Sequence, residues 1–165
     1  MGFSLGASAA EFYVEPQSGS MTNDGSASKP YKTLQEVIAA NLVATQSWES
    51  LPYAAGKQLV AKNAGAPIKP GDTIWLRSGY HGNVEIVGHY NAQPITIAAE
   101  TGHTPELGSL VIQAGQNWKI FGLKKLEERY PGMQHINLST SLGTPKAVML
   151  EQFQRVAEEV MPAFR

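Results

Sequence analysis

The sequence predicts a mainly β chain organised as a solenoid, opened by one capping helix and followed by a helical tail. Three observations carry this. Short β-branched and aromatic runs recur between residues 73 and 121, separated by turns and by no helical pattern. Those runs lack the two-residue Asn-Gly or Asp-Gly loops that antiparallel neighbours favour. A single amphipathic stretch precedes them, where it can cover the sheet edge that the first layer of a stack leaves open. The spacing alone also admits a sandwich or a barrel.

Each element has a local reason. Phe12-Tyr13-Val14 is a short strand, followed by a polar stretch from Pro16 to Pro30 with a turn at Asn23-Asp24-Gly25. Thr33 and Glu36 have capping-box spacing, and Leu34, Val37, Ile38 and Leu42 share one face, which predicts a helix over 33–44. Residues 45–69 are ambiguous in pattern, and Trp48, Leu51, Tyr53 and Leu59-Val60 could anchor a loop with a helical turn there. Pro70-Gly71-Asp72 is a turn that opens the strand Thr73–Arg77, and Ser78-Gly79 breaks it. Further strands are expected at Val84–Val87, Ile95–Ala98, Leu110–Ile112 and Trp118–Phe121, with turns at Gly88–Pro94 and Gln113–Asn117.

The pattern changes after Leu123. Lys124–Arg129 is charged and helix-favouring, and Ile136-Asn137-Leu138 reads as a brief strand. Thr144 and Pro145 suit the start of a second helix, in which Met149, Leu150, Phe153, Val156, Ala157 and Val160 form an apolar stripe. The chain therefore divides into 1–10, 11–123 and 124–165. A strand expecting a following layer at Trp118–Leu123 meets a charged run instead, so association through the helical tail is expected.

Composition excludes several functions. A net charge of −1 over 165 residues provides no field that would recruit nucleic acid or an anionic membrane. The absence of cysteine removes disulfides, thiolate chemistry and cysteine-ligated zinc. No apolar run is long enough to span a bilayer. Residues 1–10 end in Ala7-Ser8-Ala9, a signal-peptidase type of site, directly before a strand. They read as a signal-peptide remnant or as an arbitrary leader, since a basic n-region and a full apolar segment are missing. The first reading implies a secreted or periplasmic protein.

Several blocks together resemble a known family. They are Phe12-Tyr13-Val14, Ser18-Gly19-Ser20, Asn23-Asp24-Gly25, Lys29–Glu36, Pro70–Tyr80, Pro94–Ile97 and Asn117–Leu123. In order and spacing they resemble the N-terminal portion of right-handed parallel β-helix, pectin-lyase-like proteins, over residues 11–123. The resemblance implies parallel β-helix layers over 70–123 with the 33–44 helix as cap. Ile74, Leu76, Val84, Ile86, Ile95, Ile97, Val111, Ile112 and Ile120 would then point inward. It also implies polysaccharide lyase, hydrolase or epimerase chemistry on later layers, with acidic calcium ligands, a Lys or Arg base and an acidic polysaccharide as substrate. One fold of this kind hosts many reactions, so the reaction itself is not implied.

The tail resembles something different. Arg129-Tyr130-Pro131 and the run from Gly143 to Arg165 are similar to the extreme C-terminus of luciferase-like, flavin-dependent monooxygenases, which are TIM barrels. The barrel strands that would hold flavin are absent, so no cofactor is evident in the residues, and calcium is the one that the β-helix resemblance implies. The two resemblances together suggest a fusion, a mis-assembled reading frame or an artificial sequence.

The residues themselves offer few candidates. Arg77, Tyr80, His81 and Glu85 cluster in sequence, and a cation beside a carboxylate sugar could neutralise it or act as base. The plainer reading has Arg77 ending a strand and His81 in a solvated turn. Asp24, Asp72 and Glu106 are oxygen ligands in principle, but they are scattered singly, and calcium requires a cluster. His81, His89, His103 and His135 lack metal-ligand spacing. Trp75 and Trp118 could stack on sugars, although strand positions favour core packing. No catalytic, cofactor or metal residue is assigned. The expected function is an incomplete, exported polysaccharide-degrading protein, inactive alone. The alternatives are a non-catalytic carbohydrate-binding or surface module and a fragment of a flavin monooxygenase.

Overall fold

The computed structural model describes residues 9–50 and 55–123. Along the chain come β1 (Glu11–Val14), α1 (Leu34–Ala39), β2 (Thr45–Trp48), β3 (Leu59–Lys62), β4 (Thr73–Leu76), β5 (Gly79–Tyr80), β6 (Asn83–Val87), β7 (Tyr90–Ala99), β8 (Pro105–Glu106), β9 (Ser109–Gln113) and β10 (Gln116–Phe121). Alternation dictates the main strands. In β4, Ile74 and Leu76 are fully buried while Thr73 and Trp75 face outward. In β6, Val84 and Ile86 go in while Asn83, Glu85 and Val87 stay out. A period of two on branched side chains gives a pleated ribbon with one dry face.

The principal sheet has the order β1-β4-β7-β2-β3, with β10 also on β7. β1, β4, β7 and β10 are parallel, in a register that stacks Phe12, Ile74, Ile97 and Ile120 and, one residue on, Tyr13, Trp75, Ala98 and Phe121. β2 and β3 form an antiparallel pair, and Gln46 of β2 bridges antiparallel to Tyr90 of β7. Two small parallel ladders, β5 with β8 and β6 with β9, complete the described strands.

This corrects the expected right-handed parallel β-helix. The chain forms a curled, mixed half-barrel, and a solenoid is not what the strands build. The overturning feature lies in residues 45–62, whose sequence pattern is ambiguous. They supply the β2–β3 hairpin, whose antiparallel strands join the sheet through β7 and break an all-parallel stack. β7 also begins earlier than expected. Its first half holds β2, and Pro94 sits within it, where its lack of an N–H is tolerated because strand pairing changes along its length.

The capping helix is also corrected. The helix expected over 33–44 spans only Leu34–Ala39, and β1 precedes it, so it is not N-terminal. Thr33 caps it, its Oγ1 accepting from the Glu36 amide at 3.2 Å, as its spacing to Glu36 suggested. Asn41 stops it. With φ of 57° Asn41 adopts the left-handed conformation, the Leu42 amide returns to the Val37 carbonyl and the Asn41 amide to that of Ile38. This is a Schellman ending, with Asn in the position usually held by Gly. The expected helix at 144–160, and all of 124–165, lie outside the described residues.

One apolar core joins the elements, with Val14, Leu34, Val37, Ile68, Ile74, Leu76, Ile86, Ile95 and Ile97 each fully buried. Of the residues expected inward, Ile112 and Ile120 pack against this core only in part, and Val111 points out at 39% exposure. Val111 and Ile112 are adjacent in β9, so the pleat can turn only one of them in. Gly25, at φ 79°, lies against both the Phe12 and Tyr31 rings, whose stack at 6.4 Å leaves no room for a Cβ there.

Polar side chains tie the connections down. Asp72 Oδ1 accepts from the Ala10 amide at 2.8 Å and Oδ2 from the Lys69 amide at 2.7 Å. Thr45 donates to Asn91 Oδ1 at 2.7 Å, and Asn91 exchanges side-chain-to-backbone bonds with Asn117. His81 is fully buried, its Nε2 2.7 Å from the Arg77 carbonyl, while its Nδ1 has no hydrogen-bond partner. Contrary to the sequence reading, it lies in no solvated turn.

Two outcomes follow. Ile97→Ala removes a fully buried side chain between β4 and β10 and should cost about 2–5 kcal/mol in denaturant unfolding; a loss below that range would mean the centre of the sheet is loosely packed. Burial lowers the affinity of both His81 and His89 for a proton. The unfolded chain then binds protons first as pH drops through its ordinary histidine pKa of about 6.5. Stability should be fully present above that pH and decline below it, read as a fall in the denaturant midpoint between neutral and mildly acidic buffer. The decline should shrink when either histidine is replaced by Gln.

Candidate functional site

The outward face of β1, β4 and β7 carries a shallow, open groove. Because Ile74 and Leu76 point in, Trp75 must point out, and the parallel register sets Tyr13 of β1 directly beside it. With Glu11, Glu100 and Thr101 these two rings line an open groove of about 270 Å³. Glu11 is held by both rings: Trp75 Nε1 donates to Oε1 at 3.2 Å and the Tyr13 hydroxyl to Oε2 at 3.3 Å. Burial, then the charge of Glu11, raises the pKa of Tyr13, so its hydroxyl remains a donor.

A clamp built on Arg77 borders the groove. Its Nε bonds Glu100 Oε2 at 2.7 Å and its Nη1 bonds Glu15 Oε2 at 3.1 Å, with a further bond to the Ala27 carbonyl. The guanidinium carbon lies 5.2 Å from the centre of the Tyr13 ring, within cation–π range. A bond from Ser18, then Arg77, lowers the Glu15 pKa, while Glu100 and then Glu15 raise that of Arg77 despite its desolvation. Both ionised forms are thus favoured by their neighbours, and Arg77 is not available as a base.

Next to the clamp, Ser78 Oγ is 3.3 Å from His103 Nδ1, and His103 Nε2 is 3.5 Å from Glu100 Oε2. The order serine, histidine, carboxylate suggests nucleophilic catalysis. Two bonds argue for a structural role. The Ser78 amide already donates to His103 Nδ1 at 3.1 Å, and the shared carboxylate oxygen is taken by Arg77 at the shorter distance. The Thr104 amide in turn donates to Ser78 Oγ. The trio thereby fastens the turn after β4 to the turn after β7.

The sequence candidates separate in space. Arg77 lies at the clamp, His81 is interior, and Tyr80 and Glu85 are exposed on β5 and β6. Asp24 and Asp72 each brace a local turn, and no group of three or more His, Asp or Glu residues able to hold a metal occurs among the described residues. Trp118 packs against the core with its ring edge to His89, whereas Trp75 faces the groove. His135 lies outside the described residues. Sequence reading missed Glu11, Tyr13, Glu15 and Glu100 as partners. The alternation in Thr73–Leu76 was enough to turn Trp75 outward, but nothing local placed β1 beside β4.

Replacing Arg77 with Met keeps its stem and removes the charge, leaving two carboxylates, 23% and 28% exposed, without their cation. The expected loss is about 1–3 kcal/mol in chemical denaturation, reduced by solvent screening; an unchanged midpoint would show that the clamp contributes nothing.

No family model matches the chain, and neither a curated protein nor a solved structure shows a match to it.

Proposed function

We propose that this chain is a non-catalytic carbohydrate-binding module that takes a neutral, hydroxyl-rich glycan in the Tyr13–Trp75 groove. The observation that carries this is the aromatic pair in register, joined at its polar ends by one carboxylate. Aromatic rings offer flat apolar area to the C–H face of a sugar ring, and fixed carboxylates accept from its hydroxyls through charge-assisted bonds. Glu11 is held by two donors and Glu100 by Arg77, so neither must reorganise to bind. Two carboxylates beside the groove disfavour the acidic polysaccharide expected from the resemblance.

Binding without turnover fits the groove's chemistry. The cation beside it is committed to two ion pairs, and the serine–histidine pair is engaged by backbone amides. The test is calorimetric titration with neutral oligosaccharides, alongside an absorbance assay for unsaturated products from polygalacturonate, alginate and chondroitin. Binding is expected for the neutral sugars, weakened roughly tenfold or more by Trp75→Ala, since buried aromatic anchors carry most of such affinities. Steady release of unsaturated product would overturn the non-catalytic reading, and equal binding by the Ala variant would remove the groove from it.

A further inference from the structure

The row that contains Tyr13 and Trp75 does not end at the groove. The register continues it through Ala98 of β7 to Phe121 of β10. Ile120 packs toward the core, so Phe121 points to the same outer face as Trp75. At 57% exposure it is the most exposed large hydrophobic side chain among the described residues. The register sets the small, buried Ala98 between these two positions. The outer face thus carries two aromatic residues with one small residue between them.

We infer that the ligand is an extended oligosaccharide of several units, lying across the strands from the Tyr13–Trp75 groove to a second stacking position on Phe121. This rests on the carbohydrate-binding reading and specifies its ligand. Neighbouring strands lie about 4.8 Å apart, which puts Trp75 and Phe121 about 10 Å apart across two spacings. An extended chain of pyranose rings advances by close to one strand spacing per unit. A ring on Trp75 and a ring on Phe121 are therefore separated by about one intervening unit, which passes over Ala98. A larger residue at position 98 would stand in its path. The exposed Lys119 belongs to the neighbouring row, beside Thr96 and Thr73, and so places a donor along the same path. A monosaccharide or disaccharide can occupy the groove but cannot reach Phe121.

The experiment titrates the whole chain with β-1,4-linked gluco-, xylo- and manno-oligosaccharides of increasing length. Affinity for at least one series should rise by roughly tenfold between the dimer and the tetramer and then level off. Phe121→Ala should abolish that gain while leaving the affinity for the dimer unchanged, and Phe121→Trp should restore it. Trp75→Ala should weaken every length. Circular dichroism checks that each variant folds, and exposed Phe121 can be cut back without opening the core. Affinity independent of length, or a length gain that survives Phe121→Ala, would overturn the inference while leaving the groove intact. Failure of all three series to bind at any length would remove the carbohydrate reading and this inference with it.

Discussion

β7 is the strand on which the rest of the structure depends. It is ten residues long, and it alone touches β2, β4 and β10. Its Ile95 and Ile97 enter the core completely, so the hydrophobic contribution of the sheet and its hydrogen bonding run through the same residues. β7 meets antiparallel β2 at Tyr90 and parallel β4 over Thr96–Ala99, while β10 runs parallel to it at Tyr90 and again over Ile95–Ala98. The sheet that carries both arrangements is a curled, mixed half-barrel, and twist is a property of its strands whichever way they pair.

Parallel neighbours need long connections, and wherever their backbone groups are buried these must find partners. The chain satisfies that backbone with buried side chains. Asp72 holds the entry to β4, His81 bonds the carbonyl that ends it, and Asn91 with Asn117 link the starts of β7 and β10. Gln35 of α1 joins the same arrangement, its amide donating to the His81 carbonyl and its side chain accepting from the Asn83 amide. These groups stabilise mainly by avoiding the larger cost of leaving buried donors and acceptors unpaired.

The groove follows from the same alternation that builds the core. Each residue turned inward forces its neighbour outward, so the inward row Ile74, Ile97 and Ile120 has an outer counterpart in Trp75, Ala98 and Phe121. The Arg77 clamp adds the electrostatic frame. It anchors Glu100 beside the aromatic pair and lies over Tyr13, so the ring positions, the acceptors and the strand ends are mutually constrained.

The sequence by itself determined the elements whose causes are local. The alternations in 73–76 and 83–87 specified strands and their inward residues, and Thr33 with Glu36 specified the helix start. It determined too little about pairing, because the choice between parallel and antiparallel neighbours depends on strands distant in the chain. That is why a stack was expected where a mixed half-barrel forms, and why 45–62 is ambiguous in sequence: Thr45–Trp48 and Leu59–Lys62 become strands by pairing with each other and with β7. The site was still less legible. Trp75 was visible as an aromatic residue in a strand, but Tyr13 and Glu11 lie more than sixty residues away, and only tertiary register brings them beside it. Arg77 likewise looked like a strand end until Glu15 and Glu100 arrived from two other strand ends. The physical reason is the same in each case: alternation is written residue by residue, whereas register and ion pairing are set by which strands the core brings together.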